Sequence, residues 1–267
     1  MARNGTQKPE AAGLSHTDQI PSNDGSEASS SDATPELPPI PVPAAGRRVL
    51  PEGLPLMTAV REFYRHVSPW MVTLAAFSAT TARLWTGQWQ ALDLAVVAVI
   101  LAVWPLQEWI FHVVFLHFKP MQLGTAHIDL PVAIEHRKHH QDPADLRFVF
   151  IPLHIVIPGL PLLFLASFLI PDPGLSLTAL AFYYWLALAY EWTHYLMHTP
   201  YRPRSKFYRY LWRNHRLHHY KNEHYWFGIL APFIDTPLRT APDHRSVPVS
   251  PTCRNVLAAD ASARRAG

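Results

Sequence analysis

Residues 148–170 read FVFIPLHIVIPGLPLLFLASFLI, a run of 23 residues without a formal charge. About 20 apolar residues suffice for a helix to cross the hydrocarbon core of a bilayer, so this run predicts a membrane span. Apolar segments at 71–84, 92–111 and 175–190 predict three more spans. The links at 87–90 and 171–174, the second containing Asp-Pro-Gly, are typical of turns. Because no segment alternates polar and apolar residues, the expected fold is all-α, with four transmembrane helices in two hairpins and additional helical pieces outside the membrane.

The composition separates a polar N-terminal segment from this apolar core. The 267 residues are 49% hydrophobic and only 16% charged, whereas about 25% is usual in soluble domains. We expect a disordered Pro/Ser-rich tail at 1–50, a membrane domain at 51–240 and a loose C-terminal tail at 241–267. The single cysteine, Cys253, excludes an internal disulfide framework and any cysteine-based zinc or iron–sulfur site.

The distribution of basic residues predicts the orientation in the membrane. Lys and Arg are concentrated at 112–147 and after residue 199, and the two short links contain almost none. By the positive-inside rule, both termini and the long segments are cytoplasmic. The net charge of +3 therefore reflects membrane-flanking residues, and the chain has no Lys-rich stripe of the kind that binds nucleic acid.

Ten of the 16 histidines form four clusters, all on the side assigned to the cytoplasm. Histidines at i, i+3 and i+4 project from one face of a helix. The first pair is five residues apart, or about 140° on an ideal helix, so it can share a site only if the helix ends or distorts between its members. The clusters are His112 and His117; His136, His139 and His140; His194 and His198; and His215, His218 and His219.

These clusters predict a metal centre in the cytoplasmic helical part. Ten charged imidazoles would repel one another, so we interpret them as neutral metal ligands. Two six-coordinate ions would take about five each and keep a position for water, dioxygen or substrate, and imidazole suits Fe, Zn, Cu or Ni. The carboxylates of Glu108, Asp145 and Glu191 are candidates to accept hydrogen bonds from the imidazole N–H groups, or else are solvated or capping groups.

The order of the clusters resembles that of the integral-membrane fatty acid hydroxylase/sterol desaturase superfamily, and most closely its fatty acid 2-hydroxylase branch. That branch has His-x4-His, His-x2-His-His, His-x3-His and His-x2-His-His in this order, and the matching positions are its metal ligands. Flanking residues are also similar, at 139–145 (HHQDPAD), 193–195 (THY), 220–222 (YKN) and 227–228 (FG). Glu191 stands where an aspartate is common in the branch.

The resemblance implies a dioxygen-dependent, di-iron hydroxylase that acts on a lipid acyl chain, at C-2 of a fatty acid or ceramide-like lipid. Zinc could also occupy such a site. Eukaryotic members often carry a cytochrome b5 domain with a His-Pro-Gly-Gly motif, and this sequence lacks the motif. We therefore expect an external electron donor, a separate redox partner such as a ferredoxin or a cytochrome b5-like protein.

Two other functions remain open. A sterol-type desaturase or a carotenoid hydroxylase would use the same His-rich centre on a different substrate. A membrane metal-binding or transport protein would need polar groups distributed across the spans. Among the histidines, only His154 lies clearly within a predicted span, which favours the enzyme.

Overall fold

Helices form most of the chain that the computed structural model describes, namely residue 50 and residues 53–202 and 204–266, with side chains as far as residue 258. The predicted disordered tail at 1–50 lies outside the described residues apart from Leu50. The mainly helical fold class is confirmed. The α-helices are α1 Leu56–Phe63, α2 Val67–Thr86, α3 Ala91–Ile110, α4 Pro131–Gln141, α5 Leu153–Ser167, α6 Pro173–Met197, α7 Lys206–Tyr220 and α8 Pro251–Ala266. A π-helix, Phe111–Leu116, continues α3, and 3-10 turns form Leu146–Phe148 and Pro232–Asp235.

Helices occupy all four segments where spans are predicted. Two of the described stretches, Ala91–Leu116 and Leu146–Ser167, are long and apolar enough to cross a membrane. Their large apolar side chains point outwards, as Leu94 on α3 and Leu162 on α5 illustrate with exposed fractions of 76% and 66%. An apolar surface of this kind is typical of a protein that contacts lipid. The number of spans and their orientation stay predictions.

Helix α6 is the centre of the packing. Its largest interface is with α2, and it also contacts α3, α5 and α7. Ala76 and Ala79 of α2 are buried against Leu180 and Ala181 of α6, and small side chains of this kind let two helices approach closely. The side chain of Asp172 accepts a hydrogen bond from Leu175 N at 2.9 Å, so the predicted turn at 171–174 also caps the start of α6.

A buried polar network joins the ends of these helices that lie away from the histidines. Arg83 of α2 donates to Asp93 Oδ1 at 2.8 Å and to Thr178 Oγ1 at 2.6 Å. Its guanidinium also lies 3.7 Å from the ring centroid of Trp89. The buried ion pair between Arg83 and Asp93 links α2 to α3, and the hydrogen bond to Thr178 adds α6. Each charge of the pair is compensated by the other, as a buried charge requires.

The expectation that no segment forms a strand is wrong at one place. Strands β1 Met121–Leu123 and β2 Ala126–Ile128 pair in antiparallel register. Gly124 begins the two-residue turn between them with a φ of 62°, a conformation that glycine adopts without strain. With three residues each, the strands are too short for an alternating pattern to be recognised in the sequence.

Part of the segment assigned to a loose C-terminal tail is helical. Helix α8 packs against α4 and α7, and its residues Cys253 and Val256 are buried. Ser250 caps the helix by accepting a hydrogen bond from Cys253 N at 3.2 Å. On the part of α8 whose side chains the structure describes, residues 251–258, two apolar side chains one helical turn apart are buried, which is too weak a pattern to predict docking from the sequence.

Candidate metal centre

The ten clustered histidines converge into two groups of five, and within each group the candidate ligand atoms lie within 4.8 Å of one another. Nine of the ten side chains are buried, and His117 is intermediate. The structure therefore brings together every histidine that the sequence analysis selected, in the predicted five-and-five division. Group 1 consists of His112, His117, His136, His140 and His218, and group 2 of His139, His194, His198, His215 and His219.

Helix geometry explains how the clusters divide between the groups. On an α-helix, positions i and i+4 are about 40° apart, whereas i+3 lies about 60° to the other side of i. Accordingly, His136 and His140 of α4 enter group 1 and His139 enters group 2. On α7, His215 and His219 enter group 2 and His218 enters group 1. The two helices thus lie between the groups, and each contributes to both.

The spacing of His112 and His117 predicts that the helix ends or distorts between them, and the structure has a π-helix over Phe111–Leu116. The backbone N–H of His117 donates to the carbonyl of His112 at 3.0 Å, the i to i+5 bond of this helix type. In a π-helix, side chains five residues apart project from a similar side of the helix. Both imidazoles therefore point into group 1, which a continuous α-helix would not allow.

The nitrogen positions in group 1 fit a shared ion. An ion about 2.1 Å from each nitrogen would place adjacent donors about 3.0 Å apart at right angles, or about 3.4 Å apart in a tetrahedron. The observed Nε2–Nε2 separations are 3.1 or 3.2 Å, which lies between these two values. The pairs measured are His112–His136, His117–His136, His117–His218, His136–His140 and His140–His218.

Group 2 has unsatisfied donor atoms of the kind that a metal ion satisfies. Among the described residues, Nε2 of His139, His194 and His219 is buried without a hydrogen-bond partner. Nε2 of His198 lies 2.7 Å from Nε2 of His215. Since buried polar atoms are rarely left unpaired, three unpaired nitrogens beside a pair of facing imidazole nitrogens fit a metal site better than a polar core.

The imidazoles of α4 and α7 are held in their neutral form. Burial is the main cause that lowers their pKa well below the usual value for histidine, and neighbouring imidazoles lower it further. A neutral imidazole offers a lone pair, which a metal ligand requires. The residues concerned are His136, His139, His140, His215, His218 and His219.

Backbone carbonyls orient three of the histidines. Nδ1 of His112 donates to the carbonyl of Phe227 at 2.6 Å, and Nδ1 of His218 donates to that of Tyr225 at 2.7 Å. In group 2, Nδ1 of His194 donates to the carbonyl of Val149 at 2.9 Å. With the proton on Nδ1, the lone pair is on Nε2, the atom that points into the group. Sequence reasoning missed these carbonyls because any residue type supplies one.

The three candidate carboxylates have other contacts. Glu108 accepts from Trp104 Nε1 at 2.8 Å and from backbone N–H groups at 229 and 230. Glu191 accepts from Ser68 and from Ile151 N. Asp145 accepts from the guanidinium of Arg147 at 2.6 Å and caps the 3-10 turn that follows it. Around Glu108 and Glu191, backbone amides and side chains of α2 and α3 take the place that was expected for imidazoles.

The other histidines near the clusters lie outside both groups. His154 Nδ1 is 3.8 Å from a carboxylate oxygen of Glu135. His127 Nδ1 lies 3.2 Å from Gln122 Nε2 on the β-hairpin. They therefore serve as natural controls for substitutions of the grouped histidines.

A cavity of about 270 Å3 connects the histidines to the apolar helices. His136 of group 1 and His194 of group 2 both line it, so one bound molecule could approach both groups. Its other walls come from α2, α3, α5, α6 and residues 148–152. The apolar lining includes Trp104, Phe111, Val156, Gly159, Leu160 and Leu163.

Comparison with known proteins identifies the part of the chain that carries this site. A family model described as fatty acid hydroxylase matches residues 97–240, a range that contains all ten grouped histidines. A solved structure described as full-length Scs7p, with only the hydroxylase domain visible, is similar with a TM-score of 0.53 and 20% sequence identity. The similarity covers 69% of this chain and 70% of that chain, and at this identity it reflects a shared fold. A search of curated proteins finds no match.

Proposed function

The chain belongs to the fatty acid hydroxylase family, and we propose that it is a di-iron, dioxygen-dependent hydroxylase of lipid acyl chains. The observation that carries this proposal is the junction of the two five-histidine groups with one largely apolar cavity. An apolar cavity suits an acyl chain, and its contact with His136 and His194 would bring that chain to both ions.

Iron is the working metal in this proposal, and the ligands are the ten grouped histidines. Bound iron with open positions would supply the activation of dioxygen that hydroxylation of an unactivated C–H bond requires. The protein's part is to hold Nε2 atoms at fixed positions, with the proton kept on Nδ1 by the carbonyls of Phe227, Tyr225 and Val149. Zinc is an alternative occupant of such sites, because imidazole binds it at least as readily.

The proposed setting is the membrane, with the histidine groups and both termini on the cytoplasmic side. Support comes from the outward-facing apolar side chains of α3 and α5 and from the basic residues at 112–147 and after 199. The cavity walls include both of these helices. An acyl chain would then enter laterally from the bilayer, and its oxidised carbon would lie at the end of the cavity that the histidines line.

The proposed reaction is 2-hydroxylation of a fatty acid or a ceramide-like lipid, with electrons from a separate redox partner such as a ferredoxin or a cytochrome b5-like protein. The position of oxidation rests on the order of the histidine clusters, which resembles the 2-hydroxylase branch. The domain that performs it is proposed as residues 51–240, and α8 is an additional buttress of this domain.

Expression in a host without 2-hydroxy lipids tests the proposal. Mass spectrometry of hydrolysed lipids should detect 2-hydroxy acyl chains when iron and a reductase system are supplied. His139→Ala should abolish them, whereas His154→Ala, outside both groups, should not. Changes confined to sterols or pigments would instead support a sterol-type desaturase or carotenoid hydroxylase. Metal uptake by proteoliposomes without oxygen consumption would support a transport protein.

A further inference from the structure

A buried glutamate secures the backbone segment that orients two histidines of group 1. Glu108 is only 7% exposed. One of its oxygens accepts from the backbone N–H groups of Ile229 and Leu230, the latter at 3.0 Å. The other oxygen accepts from Trp104 Nε1 at 2.8 Å. All three partners are N–H donors, so both oxygens of Glu108 act as hydrogen-bond acceptors. An ionised carboxylate, which has no proton to donate, suits such a set of partners.

The segment held by Glu108 carries the carbonyls of Tyr225 and Phe227, which bind Nδ1 of His218 and His112. Asp235, 1% exposed, accepts from the N–H groups of Phe227 and Gly228 at 3.1 and 2.8 Å. Two buried carboxylates thus fix residues 227–230 from both sides. A shift of this segment would move the carbonyls and, with them, the two imidazoles.

Group 2 has the same arrangement on a different helix. Glu191, 1% exposed, accepts from Ile151 N at 3.0 Å and from the Ser68 hydroxyl. Ile151 is two residues from Val149, whose carbonyl binds Nδ1 of His194. Glu191 also precedes His194 by one turn of α6, just as Glu108 precedes His112 by one turn.

We propose that Glu108 and Glu191 are positioning residues, each of which holds the backbone segment whose carbonyl orients an imidazole of its own group. This rests on the proposed function in so far as the groups bind metal. The two glutamates act on different ions, because Glu108 supports group 1 and Glu191 supports group 2. Outer contacts that orient metal ligands typically contribute 10- to 100-fold to metal affinity.

The hydrogen bonds predict different responses to the same isosteric substitution. Glu108→Gln must turn an NH2 group towards an N–H donor, because both oxygens of Glu108 have donors as partners. Glu191→Gln can place its NH2 group at the Oε2 position, which has no partner in the described structure, and keep the acceptor at Oε1. Glu108→Gln should therefore weaken group 1, whereas Glu191→Gln should be mild and Glu191→Leu should weaken group 2.

The experiment loads the full chain in detergent micelles with cobalt(II) and follows its loss to excess chelator. Two bound ions are expected, with two dissociation phases. Glu108→Gln should accelerate one phase about 10- to 100-fold, Glu191→Leu should accelerate the other, and Glu191→Gln should change neither by more than about twofold. Asp235→Asn should accelerate the same phase as Glu108→Gln, and it replaces that variant if Glu108→Gln does not accumulate.

The outcomes separate this inference from the proposed function. If the parent chain binds no cobalt, the metal centre itself is wrong. If the parent binds two ions and Glu108→Gln and Glu191→Leu accelerate both phases alike, the glutamates only stabilise the fold and the positioning role is refuted. Unchanged dissociation in both variants would refute it equally.

Discussion

Gly159 on α5 offers a direct test of the acyl-chain proposal, because it lines the cavity beside both histidine groups. A Cβ atom at this position would meet no other atom within 4 Å, so Gly159→Leu adds its side chain to open space. Leucine also forms helices better than glycine, by roughly 0.8 kcal/mol. The variant should therefore fold at least as well as the parent chain.

The size of the effect follows from the cavity volume. An engineered cavity left by one truncated leucine measures about 150 Å3, and the cavity here measures about 270 Å3. A leucine side chain at position 159 would therefore occupy a substantial part of a cavity of this size. We expect turnover of long acyl chains to fall at least tenfold, or about 1.4 kcal/mol in activation free energy, with a smaller loss for short chains.

The assay compares hydroxylation of long and short acyl substrates by iron-loaded protein, with the products measured by mass spectrometry. Gly159→Ala is the matched control, since it gains helix propensity but fills little of the cavity. Full turnover of long chains by a folded, fully metallated Gly159→Leu variant would refute the assignment of this cavity to the acyl chain.

Three further predictions concern the histidines and their surroundings. His139→Ala and His218→Ala remove donors from different groups, so each should lower bound metal by about one equivalent in elemental analysis. In metal-free protein, burial lowers the pKa of both imidazoles below the usual value near 6.5. Below that pH the unfolded chain therefore binds more protons than the folded chain. As the pH falls further, the free energy of unfolding should decrease by up to about 1.4 kcal/mol per pH unit for each group. Cys253 donates to the carbonyl of His219 at 3.1 Å, so the larger side chain of Cys253→Leu should overpack this contact. The free energy of unfolding should fall by about 1–3 kcal/mol, measured by thermal unfolding. The control Asn255→Leu, on the exposed face of α8, should not lower it.

Each of these predictions has an outcome that contradicts it. Full metal content in both histidine variants would show that the ligands are misassigned. A thermal midpoint of the metal-free protein that stays constant between pH 7 and pH 5 would contradict the neutral, buried imidazoles. Equal unfolding temperatures for Cys253→Leu and Asn255→Leu would mean that Cys253 is not closely packed against α7.

The histidine groups were largely predictable because helix periodicity acts locally. The i, i+4 relation brings His136 to His140 and His215 to His219. The sequence alone, however, predicts all three members of each cluster on one helix face, whereas the structure assigns the third member to the other group. The five-residue spacing of His112 and His117 also indicates by itself that the α-helix ends or distorts there, although not that it continues as a π-helix. What the spacing does not give is which clusters meet, since that depends on tertiary packing around α6.

The helices were predictable from long apolar runs, whereas the shortest elements were not. The three-residue strands of the β-hairpin are too short for a periodic pattern, and the two buried apolar side chains within 251–258 of the C-terminal helix are too few for one. The roles of Glu108 and Glu191 also required the structure. Their partners are backbone N–H groups far away in the sequence, at 229–230 and 151, and backbone groups leave no signature in residue types.

Both histidine groups consist of imidazoles without a carboxylate, and this composition has a consequence for the charge of the site. Ten neutral ligands would leave two divalent ions with their full positive charge in a buried environment, where the effective dielectric constant is low. Direct ligation by carboxylates would neutralise this charge but would occupy open positions. Glu108 accepts hydrogen bonds from three N–H donors and belongs to neither histidine group, so its ionised form would oppose the charge of the ions without taking a coordination position. On this argument Glu108→Gln changes the charge at group 1 as well as the backbone segment, and the reduction potential of its ion should rise relative to that of group 2.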